Sequence, residues 1–167
     1  MLKMSETSYT IPVGADIGHV HLNVADLDRA LGFYCGVLGF QLVTRMGDGA
    51  AFVSAGGYHH HIGLNTWHTR GATPAPRGHT GLYHVAVRYP TRRDLAVALK
   101  HVAAAKVPVL GATDHGVSES IYLADPDGNG VELTCDRPMA QWPRNERGEP
   151  DMFSGKPLNL VALAGLA

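Results

Sequence analysis

The sequence has little of what marks membrane proteins, nucleic-acid-binding proteins or disulfide-stabilised secreted proteins. Charged residues make up 17% and the formal net charge is −1, so there is no basic field for nucleic acid or for an anionic membrane. The apolar runs are too short to span a bilayer, and the first residues, MLKMSETSYT, lack the hydrophobic core of a signal peptide. The two cysteines, Cys35 and Cys135, are expected to be buried free thiols rather than a disulfide. These absences predict a cytoplasmic protein.

Histidine is the residue that the sequence does have in excess. Ten occur in 167 residues, and they are unevenly spread. Six fall between positions 59 and 84, namely His59, His60, His61, His68, His79 and His84. Imidazoles bind metals and transfer protons near neutral pH, so this distribution directs attention to metal sites and acid–base chemistry.

The order strand, helix, strand, strand occurs twice along the chain. IGHVHLNV and LYHVAVRY open the two halves as strands with alternating apolar residues. The first helix is predicted to begin after Asp26, with Leu27, Ala30, Leu31 and Tyr34 on its apolar face. The second is predicted to begin at Thr91, with Asp94 at the capping-box position and an apolar stripe of Leu95, Leu99, Val102 and Ala103. The repeat predicts an α+β fold.

We expect one domain, 1–167, built of two modules. The modules cover 17–67 and 81–135, and a Gly/Pro-rich linker at 68–80 connects them. The tail, 136–167, has little periodicity and is predicted to wrap the surface, with Trp142 as its anchor and a short helix in VALAGLA at its end.

Three dispersed residues, His19, His84 and Glu132, are candidate ligands of one metal. Two imidazoles and one carboxylate form the set that holds Fe(II) on one face and leaves other positions open. His19 and His84 occupy the same place in the first strand of their modules, so closing the two modules around one cleft would bring them together. His21 lies on the same strand face as His19 and is an alternative to it.

HVHLNVADLDRALGFYCGVLGF, YLADPDGNGVELT and YHHHIGLNTW resemble motifs of the vicinal oxygen chelate superfamily. That superfamily includes glyoxalase I, fosfomycin-resistance proteins, bleomycin-binding proteins and extradiol dioxygenases. The resemblance covers roughly residues 17–142 and is closest to catechol 2,3-dioxygenase-like proteins. It implies two βαβββ modules that form a U-shaped mixed sheet around a metal cleft, with the helices on the outside.

The resemblance also implies a metal-ligand set. The ligand motifs of extradiol dioxygenases match His19, His84 and Glu132. Glyoxalase I usually has a fourth ligand in the last strand of its first module. Pairing HIGLN with GVELT puts Gly63 at that position, and glycine has no side chain with which to ligate. A three-ligand site is therefore expected, as in the dioxygenases and the fosfomycin enzymes.

Three more residues match dioxygenase positions around the metal. His60 resembles the catalytic histidine near the oxygen site, His115 resembles the histidine that contacts substrate, and Tyr122 resembles the tyrosine beside the catecholate. Histidine can exchange protons near neutral pH, and a tyrosine hydroxyl can hold a substrate oxygen. Strand parity with Gly63 selects His61 instead of His60, so the cleft-facing histidine is left open between them.

The resemblance implies an enzyme that cleaves a catechol-like aromatic with O2, using Fe(II), with Mn, Zn or Ni as alternatives. The alternatives in function are a glyoxalase-like lyase or isomerase, a thiol transferase, and a small-molecule-binding resistance protein. A homodimer is also implied, and in some members the modules swap between chains, so that His19 would join His84 and Glu132 of another copy.

Overall fold

The computed structural model describes residues 9–76 and 78–167. Most of the segment that lacks a signal-peptide core lies outside the described residues, as does Arg77 of the predicted linker. The strands are β1 (Val20–Asn23), β2 (Gln41–Met46), β3 (Ala50–Ser54), β4 (Ile62–Asn65), β5 (Val85–Arg88), β6 (Gly111–Asp114), β7 (Ser118–Ala124), β8 (Gly130–Asp136) and β9 (Lys156–Pro157). The α-helices are α1 (Leu27–Leu31), which continues as a π-helical segment (Gly32–Val37), α2 (Arg92–Ala104) and α3 (Leu160–Ala164), and a short 3-10 helix covers Met139–Gln141.

The first unit is a four-stranded sheet in the order β1-β4-β3-β2, crossed by α1. Helix α1 begins where predicted, because the Asp26 side chain accepts a hydrogen bond from the backbone N–H of Arg29 at 2.9 Å. Its apolar face buries Leu27, Ala30 and Tyr34. Strand β1 pairs with β4 in parallel, which places His21 beside Gly63.

The second unit repeats that arrangement as a sheet in the order β5-β8-β7-β6-β9. The capping box of α2 is formed by Thr91 and Asp94, as predicted. One position of the predicted stripe is wrong, because Ala103 is exposed and the buried positions are Leu95, Ala96, Ala98, Leu99 and Val102. Two βαβββ units with few helices confirm the α+β fold.

Among residues 9–76 and 78–167, the two units share one hydrophobic core and are joined by two side-chain polar contacts. The core contains apolar residues from both sheets and from α1, α2 and α3. The Tyr34 hydroxyl donates to the Asp125 carboxylate at 3.0 Å, and Arg29 pairs with Asp127 at 2.5 Å. Helix α1 of the first unit is therefore fastened to the β7–β8 turn of the second.

The C-terminal segment adds structure that the sequence did not predict. Strand β9 extends the second sheet at β6, and the short α3, at the predicted place, buries Leu163. The indole N–H of Trp142 donates to the carbonyl of Arg137 at 2.8 Å. No helix among the described residues is long and apolar enough to cross a membrane. The boundaries of modules, linker and tail stay a prediction.

Candidate functional site

His84 and Glu132 lie together on the open face of the second sheet. His84 immediately precedes β5 and Glu132 lies in the neighbouring β8, with its side chain 12% exposed. The His84 Nε2 and Glu132 Oε2 atoms are 2.8 Å apart. The Nδ1 atom of His84 is buried and has no hydrogen-bond partner among the described residues. An imidazole nitrogen and a carboxylate oxygen at this separation supply two of the donors that a divalent metal needs.

Gly130 makes this close approach of β5 and β8 possible. A Cβ at position 130 would lie 2.1 Å from the carbonyl oxygen of Tyr83 and 2.9 Å from Cβ of His84. The first of these contacts is with backbone, so a side chain would push the two strands apart. Gly130, the second glycine of GNGVELT, is therefore needed for the His84–Glu132 pair, beyond any role in the turn.

Tyr122 and His115 extend the second face. Tyr122 is directly opposite Glu132 in the β7–β8 register, and its hydroxyl is 2.7 Å from Nε2 of His115. The ring centroids of Tyr122 and His84 are 5.8 Å apart. Partial burial, followed by the charge of Glu132, raises the pKa of Tyr122, so its hydroxyl stays protonated at neutral pH.

The first sheet carries a different group of side chains, which we call the aromatic shelf: His19, His21, Phe52, His60 and Trp67. His19 immediately precedes β1, as His84 precedes β5. Its ring centroid is 4.4 Å from that of His60, which lies 5.0 Å from Phe52. His21 contacts Phe52 and Trp67 with centroid separations of 5.7 and 5.5 Å.

The histidine triplet precedes β4 rather than lying within it. Strand alternation therefore does not decide which of the three faces the shelf. His60 packs on His19, whereas Nδ1 of His61 is hydrogen-bonded to Ser54 Oγ at 3.0 Å and turned toward the end of β3. Partial burial, followed by the charge of His19 and the other neighbouring histidines, lowers the pKa of His60, so its imidazole is neutral at pH 7.

Gly63 is covered by the ring of His21. A Cβ at position 63 would lie 2.9 Å from Cγ of that ring. The place where a fourth ligand would stand thus has no side chain, and its space is filled by an imidazole. The sequence shows that Gly63 cannot ligate, but the register that stacks His21 on it comes from the structure.

The structure brings four of the six predicted site residues together in one sheet: His84, Glu132, Tyr122 and His115. The other two, His19 and His60, lie on the first sheet. Within residues 9–76 and 78–167, no three His, Cys, Asp or Glu side chains are close enough to hold a metal ion. The ligand set of His19, His84 and Glu132 therefore stays a prediction, and His84 with Glu132 is the part that one chain assembles.

Sequence reasoning missed the two apolar aromatics of the shelf, Phe52 and Trp67. Phe52, in β3, is paired with Gly63 of β4. Trp67 follows β4, and 57% of its surface is exposed. The signal available in the sequence was a tryptophan two residues after a strand-like segment. The DPDG turn has a structural role, because Asp125 is buried and accepts hydrogen bonds from the backbone N–H groups of Asp127 and Asn129.

Comparison with known proteins connects this geometry to a family. Residues 16–133 match the model of the Glyoxalase/Bleomycin resistance protein/Dioxygenase superfamily. A catechol-2,3-dioxygenase of Bacillus subtilis strain 168 is 39% identical over 132 residues, which is 79% of this chain and 45% of that protein. A probable lactoylglutathione lyase of Synechocystis is 27% identical over 120 residues, or 69% of this chain and 91% of that protein. The chain thus spans less than half the length of the Bacillus relative.

Solved structures agree on the fold. A glyoxalase/dioxygenase from Nostoc punctiforme superposes with a TM-score of 0.64 at 20% identity, covering 80% of this chain and all of that one (100%). At this identity the similarity establishes architecture and not chemistry.

Proposed function

Because the chain belongs to the Glyoxalase/Bleomycin resistance protein/Dioxygenase superfamily, we propose that it is a metal-dependent dioxygenase that cleaves a catechol-like aromatic ring with O2. The observation that carries this proposal is the group of polar side chains on the second sheet. His84 and Glu132 stand 2.8 Å apart beside a tyrosine–histidine pair, and position 63 offers no fourth ligand. A metal held by three protein ligands keeps other coordination positions for a substrate with two vicinal oxygens and for O2.

His84, Glu132 and His19 are the residues proposed to hold the metal. The short separation between His84 Nε2 and Glu132 Oε2 fits a pair of ligands, and a second imidazole would complete the facial set. Fe(II) is proposed, with Mn, Zn or Ni as alternatives. A bound Fe(II) would supply Lewis acidity toward both vicinal oxygens and a path by which electrons of the catechol reach O2.

The remaining roles belong to side chains of the chain itself. Tyr122, protonated at neutral pH, donates a hydrogen bond to a substrate oxygen, and His115 orients that hydroxyl through their 2.7 Å contact. His60 is neutral at pH 7 because of its lowered pKa, so it can accept a proton from the catechol. The aromatic shelf offers ring faces against which a flat aromatic substrate can stack.

We further propose that the site is shared between two copies in a homodimer. In one chain the units are joined by a common core and by Tyr34–Asp125 and Arg29–Asp127, while His19 lies with His60 on the other sheet. The apolar segment before β1 is uncovered, with Tyr9, Ile11, Val13 and Ile17 each at least 65% exposed. A second copy would cover this surface and bring its own His19 to His84 and Glu132.

The free thiols Cys35 and Cys135 support a reducing compartment, and we propose the cytoplasm.

The second candidate function is a glyoxalase-like lyase, favoured by the similarity to the Synechocystis protein. Gly63 weighs against it, because position 63 has no side chain that could serve as a fourth ligand.

Anaerobic reconstitution with Fe(II), followed by a panel of catechols, tests the function. We expect O2 uptake with a yellow ring-cleavage product for at least one catechol, and no product from the metal-free protein. The opposite result is activity toward a methylglyoxal–thiol adduct and none toward any catechol. It would show that the protein is a lyase and that the proposed dioxygenase function is wrong.

Mixing two inactive variants tests the shared site. His19→Ala and Glu132→Ala each remove one ligand, and a mixed dimer with a shared site has one complete ligand set. Co-refolding equal amounts should restore on the order of a quarter of wild-type activity, because about half of the dimers are mixed and each has one intact site. If each site lies within one chain, the mixture stays inactive.

A further inference from the structure

The C-terminal segment returns to the second sheet at the strand that leads to His115. Strand β9 pairs with β6, so that Pro157 is opposite Thr113 and Lys156 is opposite Asp114. The backbone N–H of Leu158 donates to the carbonyl of Ala112 at 3.2 Å. This segment lies beyond residue 133, where the match to the family model ends. Family membership therefore says nothing about its role.

Two points of this segment contact the β6–β7 turn that carries His115. A Cβ at Gly155 would lie 2.9 Å from the Thr113 methyl carbon Cγ2 and 3.5 Å from Nδ1 of His115. On the other side of the turn, a Cβ at Gly116 would lie 2.7 Å from Cγ of Pro143. The turn that carries His115 is therefore enclosed between Pro143 and Gly155.

His115 is consequently fixed from two directions. Its Nε2 atom is 2.7 Å from the Tyr122 hydroxyl, and its Nδ1 atom faces the backbone at Gly155. The side chain is half-buried, and no residue of the sheet other than Tyr122 is hydrogen-bonded to its ring among the described residues. Gly155 thus acts on the distance between His115 and Tyr122 through Thr113, which lies two residues before His115 and is the close contact of position 155.

We propose that Gly155 is a positioning residue. The space left by its missing side chain determines the distance between His115 and Tyr122, and this distance determines how a substrate fits beside them. The effect of this positioning on catalysis rests on the proposed function, but the contacts between Gly155 and the β6–β7 turn do not depend on that function. A larger residue at position 155 overlaps the Thr113 methyl carbon, and the displacement of Thr113 is passed along the chain to His115, two residues later. The C-terminal segment then belongs to the site rather than serving as an outer wrapping.

Gly155→Ala tests the proposal in the full-length protein. The control is Gly165→Ala, the same substitution in the same segment, where the added Cβ meets only ordinary contacts at 3.5 Å or more. Side-chain ¹H–¹⁵N correlation spectra report on His115, and nuclear Overhauser effects report its approach to Tyr122. We expect both signals to change in Gly155→Ala and to stay as in the wild type in Gly165→Ala.

Thr113→Ser combined with Gly155→Ala provides the rescue, because it removes the methyl carbon that the new Cβ meets. The double variant should regain the wild-type His115 signals. With an active catechol, kcat/KM should fall about tenfold in Gly155→Ala and recover in the double variant, since small displacements of a site residue are costly. The His115 signals are read without turnover, so a failed catechol assay would affect only the proposed function.

Unchanged His115 signals in a folded Gly155→Ala protein would overturn the proposal. Should that variant not fold, Pro143→Ala removes the contact on the other side of the turn without adding atoms. Shifted His115 signals in Pro143→Ala would support the enclosure of the turn between Pro143 and Gly155. Wild-type signals in that variant would refute it.

Discussion

The two open sheet faces are built from related sequence elements but are held together differently. On the first face, the aromatic shelf consists of rings packed on rings, with centroid separations of 4.4 to 5.7 Å. On the second face, short hydrogen-bonding distances fix the polar pairs: His84–Glu132 at 2.8 Å and His115–Tyr122 at 2.7 Å. Ring packing tolerates small shifts, whereas hydrogen bonds weaken steeply when distance and angle change. Under the proposed function, the first face would receive the substrate and the second would orient it.

Gly63 on the first face and Gly130 on the second show the same difference in how far their neighbours can shift. A Cβ at Gly63 would meet a histidine ring, which can rotate away. A Cβ at Gly130 would meet the backbone of Tyr83, which cannot move without separating β5 from β8. Equivalent substitutions should therefore destabilise the protein less on the first face than on the second.

The strongest perturbation of the second face is His84→Ala. It removes one of the two paired candidate ligands, so metal content per chain after Fe(II) reconstitution should fall to the level of the metal-free protein. Elemental analysis measures this directly. The matched control is His101→Ala, an exposed histidine on α2, which should bind as much metal as the wild type. Unchanged metal content in His84→Ala would exclude His84 as a ligand.

Gly130→Ala should be the next largest in effect. The added Cβ overlaps the Tyr83 carbonyl, and overpacking of this kind costs about 1–3 kcal/mol in the free energy of unfolding. Urea denaturation monitored by circular dichroism measures the loss. The control Gly36→Ala has no heavy atom within 4 Å of its new Cβ and should not destabilise the fold. Equal stabilities for the two variants would contradict the backbone contact.

Gly63→Ala tests the tolerance of the first face. We expect a smaller loss, about 1–2 kcal/mol, because the His21 ring can rotate away. The double variant with His21→Ala should recover part of this loss, and a double-mutant cycle in urea measures the coupling. Additive losses would mean that the ring does not occupy the space over Gly63.

The smallest effect is expected at the contact that joins the two units. Tyr34→Phe removes one hydrogen bond to Asp125, which keeps its contact with Asn129, so the loss should be about 0.5–1.5 kcal/mol at pH 7. Burial, followed by the charge of Asp125, raises the pKa of Tyr34 above that of the unfolded chain. This contribution is complete below about pH 10 and declines above it, where the unfolded chain ionises first.

Urea denaturation between pH 8 and 11 measures this dependence. The free energy of unfolding of the wild type should fall more steeply above pH 10 than that of Tyr34→Phe, which has no phenol to ionise at this position. Parallel curves for the two proteins would show that Tyr34 ionises equally easily in the folded and unfolded chains.

Local signals in the sequence were sufficient for the helix starts and the repeat. The caps at Asp26 and Thr91 depend on neighbouring residues, and the structure confirms both. Strand β9 has two residues and no alternation, so nothing local indicated that it would pair with β6. Ala103 fits the helical spacing but lies beyond the contact with the sheet, which only tertiary packing determines.

For the candidate site, too, the sequence was sufficient to predict some features and not others. The residue types of the ligand set could be chosen from the repeat and the resemblance, and so could the absence of a ligand at Gly63. The distance between His84 and Glu132, the orientation of His61 toward Ser54 and the stacking of His21 could not, because each depends on contacts between strands.

The contact between Tyr34 and Asp125 also constrains the order in which the chain folds. It joins residues 91 positions apart, and closing a loop of that length costs ~4 kcal/mol of chain entropy. Helix α1 therefore cannot acquire its partners in the β7–β8 turn until nearly the whole globular part has been synthesised. During translation the early helix should remain loosely attached, with Arg29 unpaired, and its docking should be a late event in folding.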